Sequence, residues 1–265
     1  MTEEWRVTSD GVKILDYATA KLQSVPYKPS SRWLFYQLVQ AGLIPKDKSS
    51  KFDYLLSRAR KSFYGQWRPD SLADTIRECD FRGDGYCQFA YQMDTNKLQQ
   101  YYVQLWFEAE AMLEQFKHYT SEYRVSLVPF RGDCSIPIKW EIAKKLEDAH
   151  RKYGKQIKIL YFGDFDPKGL QIFDSAVKDI KAWCKVPFEV ERIGLTLNQA
   201  VEYGIPDNPN KPNTYQWEAL DDKKAGNLIQ TSLMDLLLPV GNTILKQENS
   251  LFDQVKDFLR QTESV

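Results

Sequence analysis

The chain has 265 residues, of which 43% are apolar and 27% charged, and its 36 basic and 36 acidic side chains balance. These proportions are ordinary for a globular protein, and no stretch reaches the roughly 18 uninterrupted apolar residues of a membrane span. Two histidines, and four cysteines without paired metal-site spacing, argue against a zinc site and a Ser-His-Asp triad. The polar start MTEEWRVTSD is unlike a signal peptide, which predicts a cytoplasmic protein with reduced thiols.

Three helices are predicted in the first part of the chain, at residues 10–23, at 31–42, and within 49–67. Ser9 or Asp10 is expected to cap the first helix, and Ser30 or Ser31 the second. Residues 28–68 contain nine basic side chains and only two acidic ones. Three of the basic residues are predicted on the polar side of the third helix: Arg58, Arg60 and Lys61. This pattern predicts a winged-helix-like DNA-binding domain over residues 1–95, with a boundary near 90–97. A solvated basic helix face is the alternative.

The second part of the chain, residues 96–265, alternates strands with helices. Strands are predicted at 101–107, 124–130, 157–163 and 187–195, and Thr196 to Gln199 has the form of a capping box. Such alternation predicts an α/β fold with a Rossmann-like parallel sheet covered by helices, here with a helical extension at its C-terminal end.

Acidic side chains follow two of the predicted strands. Glu108 and Glu110 come after the first strand, and Asp164 and Asp166 come after the third, in KILYFGDFDPKG. Residues i and i+2 of an extended segment point to the same side, and carboxylates held close together raise each other's pKa unless a cation lies between them. The pattern therefore predicts a Mg²⁺ site, with a helix cap plus a surface aspartate as the alternative.

Other families that use an Asp-x-Asp motif fit less well. Haloacid-dehalogenase phosphatases need Thr or Val where this chain has Lys168, sugar transferases lack the upstream strand that ends in Glu, and no P-loop motif is present.

Three segments resemble, in order and spacing, the Toprim domain of topoisomerase VI A subunits and of the meiotic double-strand-break protein. They are VQLWFEAEAM, VPFRGDCS and ILYFGDFDPKGLQIFD, and the likeness is closest to short stand-alone bacterial or phage relatives. The resemblance implies that Glu108, Asp164 and Asp166 bind Mg²⁺ or Mn²⁺, that Glu108 is also catalytic, and that Arg131 contacts phosphate. Lys168, which follows the Asp-x-Asp motif, is counted with the DNA-binding residues.

The segment SRWLFYQLV is similar to the Arg-x-x-aromatic-Tyr segment that carries the catalytic tyrosine of topoisomerase VI A subunits. The match puts Tyr36 at the nucleophile's place and Arg32 beside it, where the arginine would help the phenol ionise. Trp33 stands where these topoisomerases usually have an acidic residue. The alternative is that Tyr36 is a core aromatic residue.

The expected function is Mg²⁺-dependent cleavage of double-stranded DNA through a covalent tyrosyl intermediate. The alternatives are a hydrolytic Toprim nuclease of a phage-defence or chromosome-maintenance system, and a DNA-binding subunit without activity. The resemblance also implies a homodimer in which the tyrosine of one subunit works with the metal site of its partner, and it allows for a separate ATPase subunit. No membrane association is expected.

Overall fold

The fold is that of a computed structural model, which describes residues 5–73, 93–132, 134–207 and 211–262. Three helices come first: α1 (Ser9–Gln23), α2 (Ser31–Gln40) and α3 (Ser49–Lys61). They pack around their own hydrophobic cluster, which includes Leu15, Leu34, Leu38 and Phe52. Within the described ranges this unit contains no β-strand. The predicted boundary near residues 90–97 lies partly outside the described residues, and Cys79 and Cys87 lie wholly outside them.

The rest of the chain follows the predicted alternation. Its elements are β1 (Tyr102–Phe107), α4 (Leu113–Thr120), β2 (Ser126–Pro129), α5 (Ile136–Tyr153), β3 (Ile157–Phe162), α6 (Pro167–Trp183), β4 (Phe188–Gly194), α7 (Leu197–Glu202), α8 (Asp222–Met234) and α9 (Gly241–Thr262). The four strands form one parallel sheet in the order β2-β1-β3-β4. The expected α/β class is therefore confirmed.

Helices cover both faces of the sheet because the inner strands are apolar on both sides. Trp106 and Tyr161 point into a cluster with α5 and α6, whereas Phe107 and Phe162 point into one with α4 and α8. In the described part of the chain, no helix is both long and apolar enough to cross a membrane. Cys134 and Cys184 are free thiols.

Local capping mostly follows the sequence signals. Ser30 accepts a hydrogen bond from the Trp33 amide at the start of α2, and both bonds of the Thr196–Gln199 capping box are present at α7. The expected cap of α1 is wrong, since Thr8 rather than Ser9 or Asp10 accepts the bond from Gly11. Thr8 has the extended backbone that a capping residue needs, and the helix already begins at Ser9.

Candidate active site

The carboxyl ends of β1 and β3 lie level at the centre of the sheet. Phe107 pairs with Phe162, and the next amide, that of Glu108, donates to the Phe162 carbonyl at 3.1 Å. The Asp164 amide in turn donates to Oε2 of Glu108 at 3.1 Å. The structure thus brings Glu108 and Asp164 together, as the sequence predicts.

Two glycines leave room for the Glu108 carboxylate. A Cβ on Gly163 would lie 2.9 Å from Glu108 Oε2, and a Cβ on Gly169 would lie 2.9 Å from the same oxygen and 2.6 Å from the Asp164 carbonyl oxygen. Real Cβ atoms essentially never come that close to another heavy atom. The chain around the Asp-x-Asp motif therefore wraps the Glu108 side chain tightly.

The two aspartates of the motif have different environments. Asp166 caps α6, since its Oδ1 accepts a hydrogen bond from the Gly169 amide at 2.6 Å, and Pro167 takes the first helical position. Asp164 is buried, with 8% of its surface exposed, and its Oδ1 accepts a hydrogen bond from the Trp217 amide at 2.9 Å. The helix-cap alternative thus holds for Asp166, but Asp164 is not a surface residue.

Glu218 is a carboxylate of the site that sequence reasoning missed. It lies in a 3-10 turn, Trp217–Ala219, directly after the residue whose amide holds Asp164. Only 3% of Glu218 is exposed, and the Arg32 Nε lies 2.8 Å from its Oε1. The segment containing Glu218 was part of the family resemblance, but no strand end or spacing rule singled this residue out.

Arg32 and Tyr36 are one helical turn apart on α2, so they share a face. The Arg32 guanidinium carbon lies 5.9 Å from the centroid of the Tyr36 ring, and Lys46 Nζ lies 5.7 Å from the same centroid. Helix α2 is held against the acidic turn by Gln37, whose side-chain amide donates to the Glu218 carbonyl at 3.3 Å. Tyr36 and Arg32 therefore lie beside the carboxylates of their own chain.

Tyr36 packs against the hydrophobic cluster of the three N-terminal helices and also faces a cavity. Trp33, Leu34, Phe35 and Leu38 supply the buried face of α2, whereas Tyr36 is only partly buried. It lines a cavity of about 450 Å³ together with residues that include Lys46, Thr214 and Gln216.

Burial and crowding of negative charge shift the pKa values in the site. Burial raises the pKa of Asp164 well above its usual range, and the charges of Glu218 and Glu108 raise it further. The pKa of Glu108 is also raised, first by burial and then by Asp166 and Glu218. Burial and Glu218 raise the pKa of Tyr36, although Arg32 acts in the opposite direction. Arg32 thus lowers the pKa of Tyr36 as predicted, but burial and Glu218 raise this pKa by more.

A cleft of about 530 Å³ separates α2 and α3 from the edge of the sheet. Its walls include Glu108 and three arginines, Arg32, Arg60 and Arg131. Arg131 Nη2 donates to Glu110 at 2.8 Å, so Glu110 holds an arginine in this cleft. Cationic groups beside the carboxylates suit the binding of a phosphate backbone.

The other predicted DNA-binding residues lie elsewhere. Arg58 lies over the ring of Trp5, with its guanidinium carbon 5.9 Å from the ring centroid. Lys61 is exposed at the end of α3, and Lys168 is exposed in the first turn of α6, beside Asp166.

The donors present fit Mg²⁺ in chemical type, since carboxylate oxygens are its usual protein ligands. Among the described residues, no group of three or more His, Cys, Asp or Glu side chains is arranged to hold a metal ion directly. Mg²⁺ commonly keeps several waters and uses one or two carboxylates plus substrate phosphates, and Glu108 and Asp164 are two neighbouring carboxylates of this kind.

No family model, curated protein or solved structure matches the chain.

Proposed function

We propose that this protein cleaves DNA strands in the presence of Mg²⁺, and that residues 96–265 form a Toprim domain like that of topoisomerase VI A subunits. The observation that supports this most is the meeting of two groups that the family resemblance assigns from separate parts of the sequence. Arg32 and Tyr36 come from α2, Glu108 and Asp164 come from the ends of β1 and β3, and all lie in one region of the same chain.

In the proposed reaction the Tyr36 oxygen attacks a backbone phosphorus. A bond forms between the tyrosine oxygen and phosphorus, the bond from phosphorus to the 3′ oxygen breaks, and the tyrosine proton is lost while the 3′ oxygen gains one. Arg32 stabilises the negative charge that develops on the phosphate. A bound Mg²⁺ supplies Lewis-acid stabilisation of that charge, with Glu108 and Asp164 as the residues that would hold it. Glu108 is also assigned a catalytic role on the resemblance.

Hydrolysis without a tyrosine intermediate is the second candidate. It is favoured by one observation: burial and the Glu218 charge raise the pKa of Tyr36, which makes its phenolate scarce near neutral pH. In that case the carboxylate site would serve an attacking water, and Tyr36 would only contact the DNA.

The proposal extends to organisation and partners. Residues 1–95 form the winged-helix-like unit that binds double-stranded DNA, with Arg60 and Arg131 placed to contact phosphates in the cleft. The protein acts as a cytoplasmic homodimer, and a separate ATPase subunit is compatible with the resemblance. A DNA-binding subunit without activity remains the outcome if no strand is cut.

The test is incubation with supercoiled plasmid and Mg²⁺, followed by denaturation and separation of protein-linked from free DNA. Protein attached to 5′ ends supports transesterification, free nicked or linear DNA supports hydrolysis, and intact DNA refutes both. Tyr36→Phe should lose cutting, whereas Tyr54→Phe is a matched control because Tyr54 is exposed on α3. Asp164→Asn should lose cutting and keep DNA binding.

A further inference from the structure

The Glu218 side chain has an unusual environment for a buried carboxylate. Neither of its oxygens receives a hydrogen bond in the structure, although both are shielded from solvent. The Arg32 Nε is 2.8 Å from Oε1 and forms an ion pair, but its N–H is not directed along a hydrogen bond. Buried carboxylates are normally satisfied by several donors, so this one calls for a ligand.

The backbone fixes Glu218 from two sides. The preceding residue, Trp217, gives its amide hydrogen to Asp164 at 2.9 Å, and the Glu218 carbonyl accepts from Gln37 of α2 at 3.3 Å. The carboxylate is thus held at the junction of the two elements that carry the proposed site. Its charge also acts on both Asp164 and Glu108.

Four carboxylates lie around this junction. The carboxylates are those of Glu108, Asp164, Asp166 and Glu218, and the basic groups that act on them are Arg32, Lys46 and Arg192. Arg192 donates through Nη2 to the Asp164 carbonyl at 2.5 Å, and its Nε and Nη1 have no hydrogen-bond partner among the described residues. A divalent cation between these carboxylates would offset their mutual repulsion.

In the structure the Glu108, Asp164 and Glu218 side chains are not arranged to hold one ion together, and Arg32 lies beside Glu218. We propose that Glu218 becomes a further ligand of the divalent cation that Glu108 and Asp164 bind once Arg32 has moved away. On cation binding, Glu218 exchanges the Arg32 guanidinium for the ion, and Arg32 becomes free to contact a DNA phosphate. This inference rests on the proposed function, because it needs the cation site.

A purely structural ion pair makes a different prediction. If Glu218 only holds Arg32 in place, loss of either partner disturbs the site in the same direction. If Glu218 is a ligand and Arg32 competes with the cation, the two losses act in opposite directions on cation affinity.

The experiment is calorimetric titration of the full chain with Mn²⁺, without DNA. Residues that only support metal ligands are worth about 10–100-fold in affinity, so Glu218→Gln should weaken binding by at least about ten-fold, whereas Arg32→Gln should strengthen it. Glu248→Gln is the matched control, because Glu248 forms a similar shielded ion pair with Arg124 at 2.7 Å and should leave Mn²⁺ affinity unchanged.

Two results would overturn the inference: wild-type affinity in Glu218→Gln, or weaker binding in Arg32→Gln. Should Glu218→Gln fold poorly, the double variant Arg32→Gln/Glu218→Gln removes both charges, and it must bind Mn²⁺ more weakly than Arg32→Gln alone. Failure of the wild-type protein to bind Mn²⁺ would instead overturn the cation site of the proposed function.

Discussion

Gly169→Ala tests how tightly the Asp-x-Asp turn encloses Glu108. The added methyl group would lie 2.6 Å from the Asp164 carbonyl oxygen and 2.9 Å from Glu108 Oε2, whereas ordinary contact begins at 3.4 Å. The first of these atoms belongs to the backbone and cannot swing aside. The turn or the first turn of α6 must therefore move.

The expected cost follows from those distances. Overpacking by one carbon in a closed site costs about 1–3 kcal/mol, and replacing glycine by alanine in a helix returns at most about 1 kcal/mol. Because the closest atom is a backbone oxygen at 2.6 Å, the cost lies near the upper end of this range, about 3 kcal/mol. Subtracting about 1 kcal/mol leaves a net loss in free energy of unfolding of about 2 kcal/mol. In a chain of this size each kcal/mol lowers Tm by roughly 2–4 °C.

Urea unfolding and thermal melting measure this loss, and Mn²⁺ titration measures the effect on the site. Gln171→Ala is the control, since Gln171 is exposed two residues further along α6 and should change stability by less than about 0.5 kcal/mol. Because the methyl group also displaces the Glu108 carboxylate, cation affinity should fall with stability. A Gly169→Ala protein as stable as wild type would refute the described packing.

Three further predictions concern charge and assembly. The raised pKa of Asp164 favours its neutral form in the folded state, so its contribution to stability is complete below its unfolded pKa near 4 and is lost as the pH rises. At pH 7 the free energy of unfolding of metal-free Asp164→Asn should therefore exceed that of the wild type by about 0.5–2 kcal/mol. Equal urea midpoints at this pH would contradict this. Arg60→Gln should reduce the salt slope of DNA binding by about one, whereas Arg58→Gln should not, because Arg60 lines the cleft and Arg58 lies over Trp5 instead. Equal slopes for the two variants would show that the DNA does not run through the cleft. Mixing Tyr36→Phe with Asp164→Asn should not restore cutting, because both residues belong to one chain's site, and restored cutting after proven subunit exchange would show a shared site.

Much of the site could be predicted because it depends on strand ends. Parallel strands end at a common edge, so the acids after β1 and β3 were expected on one side of the sheet, and the strand order β2-β1-β3-β4 makes them neighbours. Arg32 and Tyr36 were assigned from the family resemblance, and helical spacing then places them on one face of α2. The acids follow from local pattern and one topological rule, and the structure brings Glu108 and Asp164 together.

Glu218 could not be found in this way because nothing local marks it. It lies in a short turn, more than fifty residues after Asp164, and only tertiary packing brings the two together. The sequence also could not show that Asp166 caps α6 while Asp164 is held by the Trp217 amide. An Asp-x-Asp sequence is compatible with two ligands or with a cap, and the choice depends on where the following helix begins.

The packing of α2 decides how a pair of subunits could work. Tyr27, just before α2, donates a hydrogen bond to Asp222 of α8 at 2.5 Å, and Tyr119 of α4 donates to the other oxygen of the same carboxylate at 2.6 Å. A hydrogen bond to a charged group contributes about 1.5–3 kcal/mol, so the Tyr27 bond anchors the N-terminal helices to α8 of their own chain. Exchanging Tyr36 between subunits would require this anchor and the hydrogen bond from Gln37 to the Glu218 carbonyl to separate together. A dimer that keeps both would instead present two complete sites, one for each strand of the duplex.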